Sequence, residues 1–125
     1  MTEKKGEAVV ILGASNKPDR YAYKALISLT DAGHRVFPVT PSVDEINGIK
    51  CFKQMGDISV NIDTVTLYVR PEISDTMTEA FLRLRPKRVI FNPGTENDSL
   101  EEKLKAGGID VIEACTLVMV QTNQY

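Results

Sequence analysis

Five short apolar runs, rich in valine and isoleucine, recur along this chain of 125 residues and alternate with segments of helical spacing. Continuous apolar runs are typical of strands buried on both faces, as in a parallel sheet covered by helices. The predicted strands are residues 7–12, 35–39, 64–69, 88–91 and 109–112. Their alternation with helices predicts an α/β fold, with a single doubly wound parallel sheet of five strands and helices on both faces.

Three segments carry apolar residues along one helical face, and residues that start or stop helices bound them. The predicted helices are residues 21–32, 71–84 and 99–106. Pro71 suits a first helical turn, and Gly33 suits the end of a helix. Asp98 and Glu101 have the spacing of a capping box, which indicates where the third helix begins.

The order of the strands is less directly encoded. We predict the Rossmann-type order 3-2-1-4-5, with a flavodoxin-like order as the alternative. Between the second and third strands, the irregular segment 41–63 contains Asn47-Gly48, which predicts a turn. After this turn, a short strand is predicted at 49–52 and a short helix at 54–58.

The length and composition describe one domain over residues 1–125, with flexible ends expected at 1–6 and 121–125. A formal net charge of −2 leaves no general basic field, so nucleic acid is not an expected partner. No segment has the character of a signal peptide or a membrane span, so no membrane partner is expected. Cys51 and Cys115 are too few for a disulfide framework, and a cytoplasmic location is therefore expected.

The first predicted strand ends at Gly13-Ala14-Ser15, and a polar loop with Lys17 and Arg20 leads into the first helix. Ligands of doubly wound sheets bind beyond the carboxyl ends of the strands. Backbone N–H groups, the helix dipole and two cations would together bind phosphate there. The loop therefore predicts a small molecule with several phosphates, while solvated loop charges remain the alternative interpretation of the two cations.

The other strand ends should line the same crevice, because all carboxyl ends of a parallel sheet lie at one edge. These ends carry Thr40-Pro41, Arg70-Pro71, Asn92-Pro93-Gly94-Thr95 and Cys115-Thr116.

The loop meets neither standard nucleotide fingerprint. Ser15 and Pro18 stand where a dinucleotide site needs glycine, and Thr40 ends the second strand where such a site places an acid for the ribose. No Gly-Lys-Ser/Thr sequence occurs, so the Walker pattern is also absent. A standard NAD site and a standard ATP site are both disfavoured.

Five short motifs follow one another along most of the chain: Gly13-Ala14-Ser15-x-x-Pro18-x-Arg20-Tyr21-Ala22, Val36-Phe37-Pro38-Val39-Thr40-Pro41, Glu45-Ile46-x-Gly48, Val69-Arg70-Pro71-Glu72 and Asn92-Pro93-Gly94-Thr95-Glu96. In this order the chain resembles the stand-alone CoA-binding domain family. That family is similar to the N-terminal CoA-binding domains of succinyl-CoA synthetase α subunits and NDP-forming acyl-CoA synthetases. The resemblance implies a Rossmann-type fold and a ligand that is CoA or acyl-CoA.

The resemblance also implies which residues contact CoA. The residues implied to face its diphosphate and phosphoadenosine are Gly13, Ala14, Ser15, Lys17, Pro18 and Arg20. Those implied to flank the nucleotide are Val39, Thr40 and Pro41, and those implied for the opposite wall are Val69, Arg70 and Pro71. Two positions depart from the family's usual pattern: Thr40 stands where many members carry Asn, and Asn92-Pro93-Gly94 replaces a Gln-x-Gly turn.

We predict a non-catalytic binding module for CoA or acyl-CoA, acting as a carrier, a sensor, a homodimer or a partner enzyme subunit. The alternatives are a small NAD(P)-binding enzyme and the CoA-binding half of a split acyl-CoA ligase. No metal-ligand spacing is visible in the sequence. His34 is interpreted as structural. Cys115, near the crevice, is either a functional thiol or a small buried residue.

Overall fold

The computed structural model describes residues 6–125, so the predicted flexibility of residues 1–5 lies outside the described part of the chain. The elements in chain order are β1 (Ala8–Leu12), α1 (Tyr21–Asp31), β2 (Arg35–Val39), β3 (Glu45–Ile46), β4 (Ile49–Lys50), β5 (Thr64–Leu67), α2 (Pro71–Ser74), α3 (Thr78–Leu84), β6 (Arg88–Phe91), α4 (Asp98–Ala106), β7 (Asp110–Glu113) and α5 (Thr116–Gln121). Short 3-10 turns occupy Met55–Asp57 and Asp75–Met77.

Five strands form one sheet in the order β2-β1-β5-β6-β7, and every neighbouring pair is parallel. The predicted α/β class and doubly wound sheet are confirmed. The predicted strand order is corrected in one respect, because the third long strand, β5, pairs with β1 and not with the outer edge of β2. Among residues 6–125, that edge carries an isolated parallel bridge between Phe52 and Val39. Counted along the chain, the long strands lie in the order 2-1-3-4-5, which is the flavodoxin-like order given above as the alternative.

Burial explains why β5 lies inside the sheet. All four of its residues, from Thr64 to Leu67, are fully buried, whereas β2 begins with the exposed Arg35 and most of β7 is exposed. A strand without an exposed residue needs a neighbour on each side and a helical layer on each face. The sequence does not predict on which side of the β1–β2 pair the β5 strand lies, because a buried apolar run has the same pattern in either position.

Helices cover both faces of the sheet, and β1 contributes side chains to both cores. Val10 packs with Phe81 of α3 and Leu104 of α4. Val9, its neighbour along the strand, packs on the opposite face with Leu26 of α1. Helices α1 and α5 are in contact. The alternation of side chains along β1 therefore determines which face each helix covers.

The helix predicted at 71–84 is divided into α2 and α3. At the break, the Thr76 hydroxyl donates to the Ile73 carbonyl oxygen (2.7 Å), and Asp75 accepts from Asn97 Nδ2 (2.8 Å). Polar side chains that bond to nearby groups compete with regular helix, which explains the interruption. Helix α5 is not predicted from the sequence, because six residues are too few to display a helical period.

Near the C-terminus, the Tyr125 ring lies 5.0 Å from the His34 ring and 4.5 Å from the Arg88 guanidinium carbon. The flexibility of residues 121–125 stays a prediction. Within residues 6–125, no helix combines the length and the apolar character that crossing a bilayer requires.

Candidate functional site

A pocket of about 380 Å³ opens beyond the carboxyl ends of β1, β2 and β5. The loop after β1, the first turn of α1, the residues after β2 and Tyr68 form its walls. Of the residues implied to contact CoA, those that line it are Gly13, Ala14, Ser15, Lys17, Arg20 and Thr40. Those that lie outside its lining are Pro18, Val39, Pro41, Val69, Arg70 and Pro71.

Gly13 shapes the loop at the edge of this pocket. Its φ of +87° is costly for any residue with a side chain, and an added Cβ would lie 2.8 Å from Val69 Cγ1. The N–H groups of Gly13 and Ala14 both donate to the carbonyl oxygen of Val39, at 3.0 and 3.1 Å. These two donors join the loop to β2, so a ligand must use donors further along the chain.

The first turn of α1 supplies those donors. Arg20 occupies the N-cap position without a side-chain cap, and the first turn contains no acidic residue. Within the described chain, the N–H groups of Tyr21 and Ala22 have no hydrogen-bond acceptor, and both residues line the pocket. An uncapped helix start with open N–H groups attracts anions.

Lys17 and Arg20 add positive charge beside this helix start. Both are exposed, and neither pairs with a carboxylate of residues 6–125. The Lys17 N–H donates to Ser15 Oγ (3.1 Å), which leaves the Ser15 hydroxyl proton available to a ligand. Two cations, a hydroxyl and a helix start together form a site suited to phosphate groups.

A second cavity of about 360 Å³ adjoins the first, and Tyr21 and Tyr68 line both. It lies between the residues that follow β6 and helix α5. Its other lining residues are Asn92, Pro93, Cys115, Leu117, Val118 and Gln121. The two cavities therefore lie side by side at the carboxyl edge of the sheet, and we refer to them together as the groove.

Asn92 holds this end of the groove together. Its Nδ2 donates to Thr66 Oγ1 (2.8 Å) and to the Leu67 carbonyl oxygen (2.9 Å), while its Oδ1 accepts from the Thr116 N–H (2.9 Å). The hydroxyl oxygens of Thr66 and Thr116 lie 2.8 Å apart. Both amide donors of Asn92 are therefore used to join β5, β6 and α5, and none is left for a ligand.

Tyr68 is the main site residue that the sequence analysis misses. It directly follows β5 and lines both cavities. Burial raises the pKa of its hydroxyl, so the group stays protonated. Val65 and Leu67 of β5 face the α3–α4 core, so the alternation of the strand, continued by one residue, indicates Tyr68 as the wall.

The three residues implied for the wall opposite the nucleotide, Val69, Arg70 and Pro71, line neither cavity. Val69 packs against the core shared with α3 and α4, Arg70 is the N-cap of α2, and Pro71 is its first residue. Thr40 does reach the first cavity, where its Oγ1 accepts from the Ser42 N–H (3.2 Å).

The two remaining candidates for chemistry lie at opposite ends of the sheet. His34 is at the amino end, where its Nδ1 accepts from the Glu7 N–H (2.9 Å), a structural contact outside the groove. Cys115 is the N-cap of α5, half-buried, and lines the second cavity. Cys51 is buried near β4, and its burial raises the pKa of the thiol.

The fold brings together three carboxylates that show no common motif in the sequence. Their oxygens lie within 4.8 Å of one another, and they belong to Asp98, Glu101 and Glu113. Burial, with Glu113 beside it, raises the pKa of Glu101. Glu101 Oε2 accepts from the Asn97 N–H (3.0 Å), so this side chain also secures the start of α4. These acids could hold a cation, but they line neither cavity of the groove.

A family model for the CoA binding domain matches residues 7–121. The chain is 29% identical over 108 residues to the uncharacterized protein YneT of Bacillus subtilis, an alignment that covers 86% of this chain and 80% of YneT. It is 35% identical over 103 residues to an ADP-forming acetate–CoA ligase of Methanocaldococcus jannaschii. That alignment covers 79% of this chain but only 15% of the ligase.

Among solved structures, the fold is similar to the crystal structure of an uncharacterized protein that is 40% identical in sequence. The TM-score is 0.92, and the match covers 98% of this chain and 100% of the other.

Proposed function

Because this chain belongs to the CoA-binding domain family and is related to the CoA-binding part of acetate–CoA ligases, we propose that it is a non-catalytic module that binds CoA or a CoA thioester. The nucleotide and its phosphates occupy the first cavity, and the pantetheine arm extends past Tyr21 and Tyr68 into the second. Such a module serves as a carrier, a sensor or a subunit of a larger enzyme.

The uncapped start of α1, with Lys17 and Arg20 beside it, is the observation that carries this proposal. CoA has a diphosphate and a separate 3′-phosphate. A helix start readily binds one phosphate group, and two unpaired cations supply charge for the others.

The second cavity also supports CoA as the ligand, because its described lining is uncharged whereas the first cavity is lined by two cations. No charged side chain is among the described residues that line it. CoA has the corresponding division, with all its charge at the nucleotide end and a long uncharged arm at the other. A groove with cations at one end and an uncharged lining at the other is complementary to both halves.

Isothermal titration with CoA, dephospho-CoA and NAD tests the proposal. We expect CoA to bind most tightly, with dephospho-CoA weaker by roughly 10- to 100-fold, since one charge-assisted contact contributes about 1.5–3 kcal/mol. At about a hundredfold excess over the dissociation constant, CoA should stabilise the fold by roughly 2.7 kcal/mol. Binding of NAD as tight as that of CoA would overturn the proposal.

A second candidate is the CoA-binding part of an acyl-CoA ligase, supported by the identity to the ligase of M. jannaschii. It predicts the same CoA site but requires other protein parts for acyl-CoA formation. The small NAD(P)-using enzyme is the weaker alternative, because Thr40 stands where a ribose-binding acid is expected and its oxygen accepts from the Ser42 N–H. Reduction or oxidation of a nicotinamide by the purified chain would favour that alternative.

A further inference from the structure

The second cavity differs from the first in the charge that it offers a ligand. Lys17 and Arg20 line only the first cavity. The second, of about 360 Å³, falls in the size range of small-molecule sites. Its described lining contains tyrosine, proline, leucine, valine, cysteine and two amides, and no lysine, arginine or histidine.

Its polar side chains carry no charge. The amide donors of Asn92 bond to Thr66 and to the Leu67 carbonyl oxygen, so they are not available to a ligand. The Tyr21 hydroxyl and the Gln121 amide are uncharged donors in the lining that can reach a thioester or amide oxygen. A carboxylate entering this cavity would lose hydration and would meet no cationic side chain of the described lining.

An apolar group entering the same cavity gains contacts instead. Leu117 and Val118 line the cavity from α5, and Val118 is 52% exposed. Covering such apolar surface is favourable in proportion to the area removed from water.

We infer that the second cavity receives the acyl end of a CoA thioester and selects uncharged acyl groups over those that end in a carboxylate. This inference rests on the proposed function, because it requires the phosphates of CoA to occupy the first cavity. The ligand class is then a CoA thioester of a short monocarboxylic acid, and thioesters of dicarboxylic acids are disfavoured.

Butyryl-CoA and succinyl-CoA form a matched pair for the test, since both acyl groups have four carbons and differ by a methyl against a carboxylate. Isothermal titration in a reducing buffer, with CoA as the reference, should give an affinity for butyryl-CoA at least about tenfold higher than for succinyl-CoA. Equal affinities, with CoA itself bound, would overturn this inference and leave the proposed function intact. Absence of CoA binding would overturn both.

Two variants show whether the discrimination arises in the cavity. Val118→Arg places a cation on its exposed wall and should reduce the preference for butyryl-CoA severalfold. Val60→Arg is the control, because Val60 is 42% exposed and lines neither cavity. Gln121→Arg, at an exposed position of the same wall, gives a second measurement should Val118→Arg fold poorly. An unchanged preference in the variants of α5 would overturn the inference.

Discussion

Arg20 occupies the N-cap position of α1 but contributes no capping bond. Its side chain is exposed and pairs with no carboxylate of residues 6–125. Exposed cations add little to folding stability, so the folded chain itself gives little reason for an arginine at this position. A bound polyanion would explain the arginine, because the two would attract each other. Reversing the charge of this residue would then replace the attraction with repulsion.

We predict that Arg20→Glu lowers CoA affinity by roughly 10- to 100-fold at low salt. The free energy of unfolding should change by less than about 0.5 kcal/mol. The loss of affinity should shrink as salt is added, because the interaction is partly screened. Isothermal titration at two salt concentrations and urea denaturation measure these effects.

Lys105→Glu makes the same charge change on α4, at an exposed residue that lines neither cavity. Its CoA affinity should remain close to that of the unaltered chain. An equal loss in both variants would indicate a general effect of net charge, and an unchanged affinity in Arg20→Glu would remove Arg20 from the phosphate site.

The N-cap of helix α4 lies one residue earlier than the sequence pattern predicts. The capping-box spacing predicts Asp98 as the cap, but Asn97 is the N-cap, and its Oδ1 accepts from the Leu100 N–H (3.1 Å). Its Nδ2 also donates to Ser74 Oγ (3.0 Å) and to Asp75 Oδ1 (2.8 Å). One buried amide therefore caps α4 and joins it to α2, which the spacing of residues along one helix cannot reveal.

Asn97→Ala should destabilise the fold by roughly 1–3 kcal/mol, because it removes a helix cap and leaves Ser74 and Asp75 without their donor. Urea denaturation measures the change. Ser99→Ala, at an exposed position in the first turn of the same helix, should shift stability by less than about 0.5 kcal/mol. Equal stability of the two variants would mean that Asp98 takes over as the cap.

Across the whole molecule, the position of the groove follows from the order of the strands. The chain leaves β1 for β2 on one side and later returns to place β5 on the other. The loop after β1 and Tyr68 after β5 therefore diverge at the carboxyl edge and leave the groove between them. This is the topological switch point at which doubly wound sheets bind ligands.

The opposite, amino edge of the sheet contains the contact that should govern acid stability. The Asp63 carboxylate accepts from the Ala8 N–H (2.9 Å) and pairs with Lys87 Nζ (3.1 Å). The hydrogen bond from Ala8, followed by Lys87, lowers the pKa of Asp63 below its ordinary value of 3.8. A lowered folded-state pKa contributes stability above the unfolded value, and that stability is lost as the pH falls through the folded value.

We therefore expect Asp63→Asn to be less stable than the unaltered chain at about pH 6, with the difference shrinking as the pH falls below about 4. Urea denaturation over a series of pH values measures this. Asp31→Asn, at an exposed acid without a salt bridge in the described chain, should leave the pH profile unchanged. A constant difference between Asp63→Asn and the unaltered chain at all pH values would contradict the role of the charge.

The local features of this protein follow from residues that are neighbours along the chain. Five apolar runs indicated the strands, because continuous apolar runs are typical of strands in a sheet that is covered on both faces. Gly13 and the cations Lys17 and Arg20 identified the loop that lines the first cavity, because a positive φ, an open helix start and charge are all properties of neighbouring residues.

Other features arise only from tertiary contacts between residues that are distant in sequence. The placement of β5 beside β1 required packing on both flanks, since its buried run fits either. Only the fold brings Val39 to the N–H groups of Gly13 and Ala14 and thereby moves the open donors to α1. Asn92 likewise gains its partners from β5 and α5, segments that lie more than twenty residues away along the chain. Such contacts form through space, and hydrophobic periodicity and motif spacing describe only neighbours along the chain.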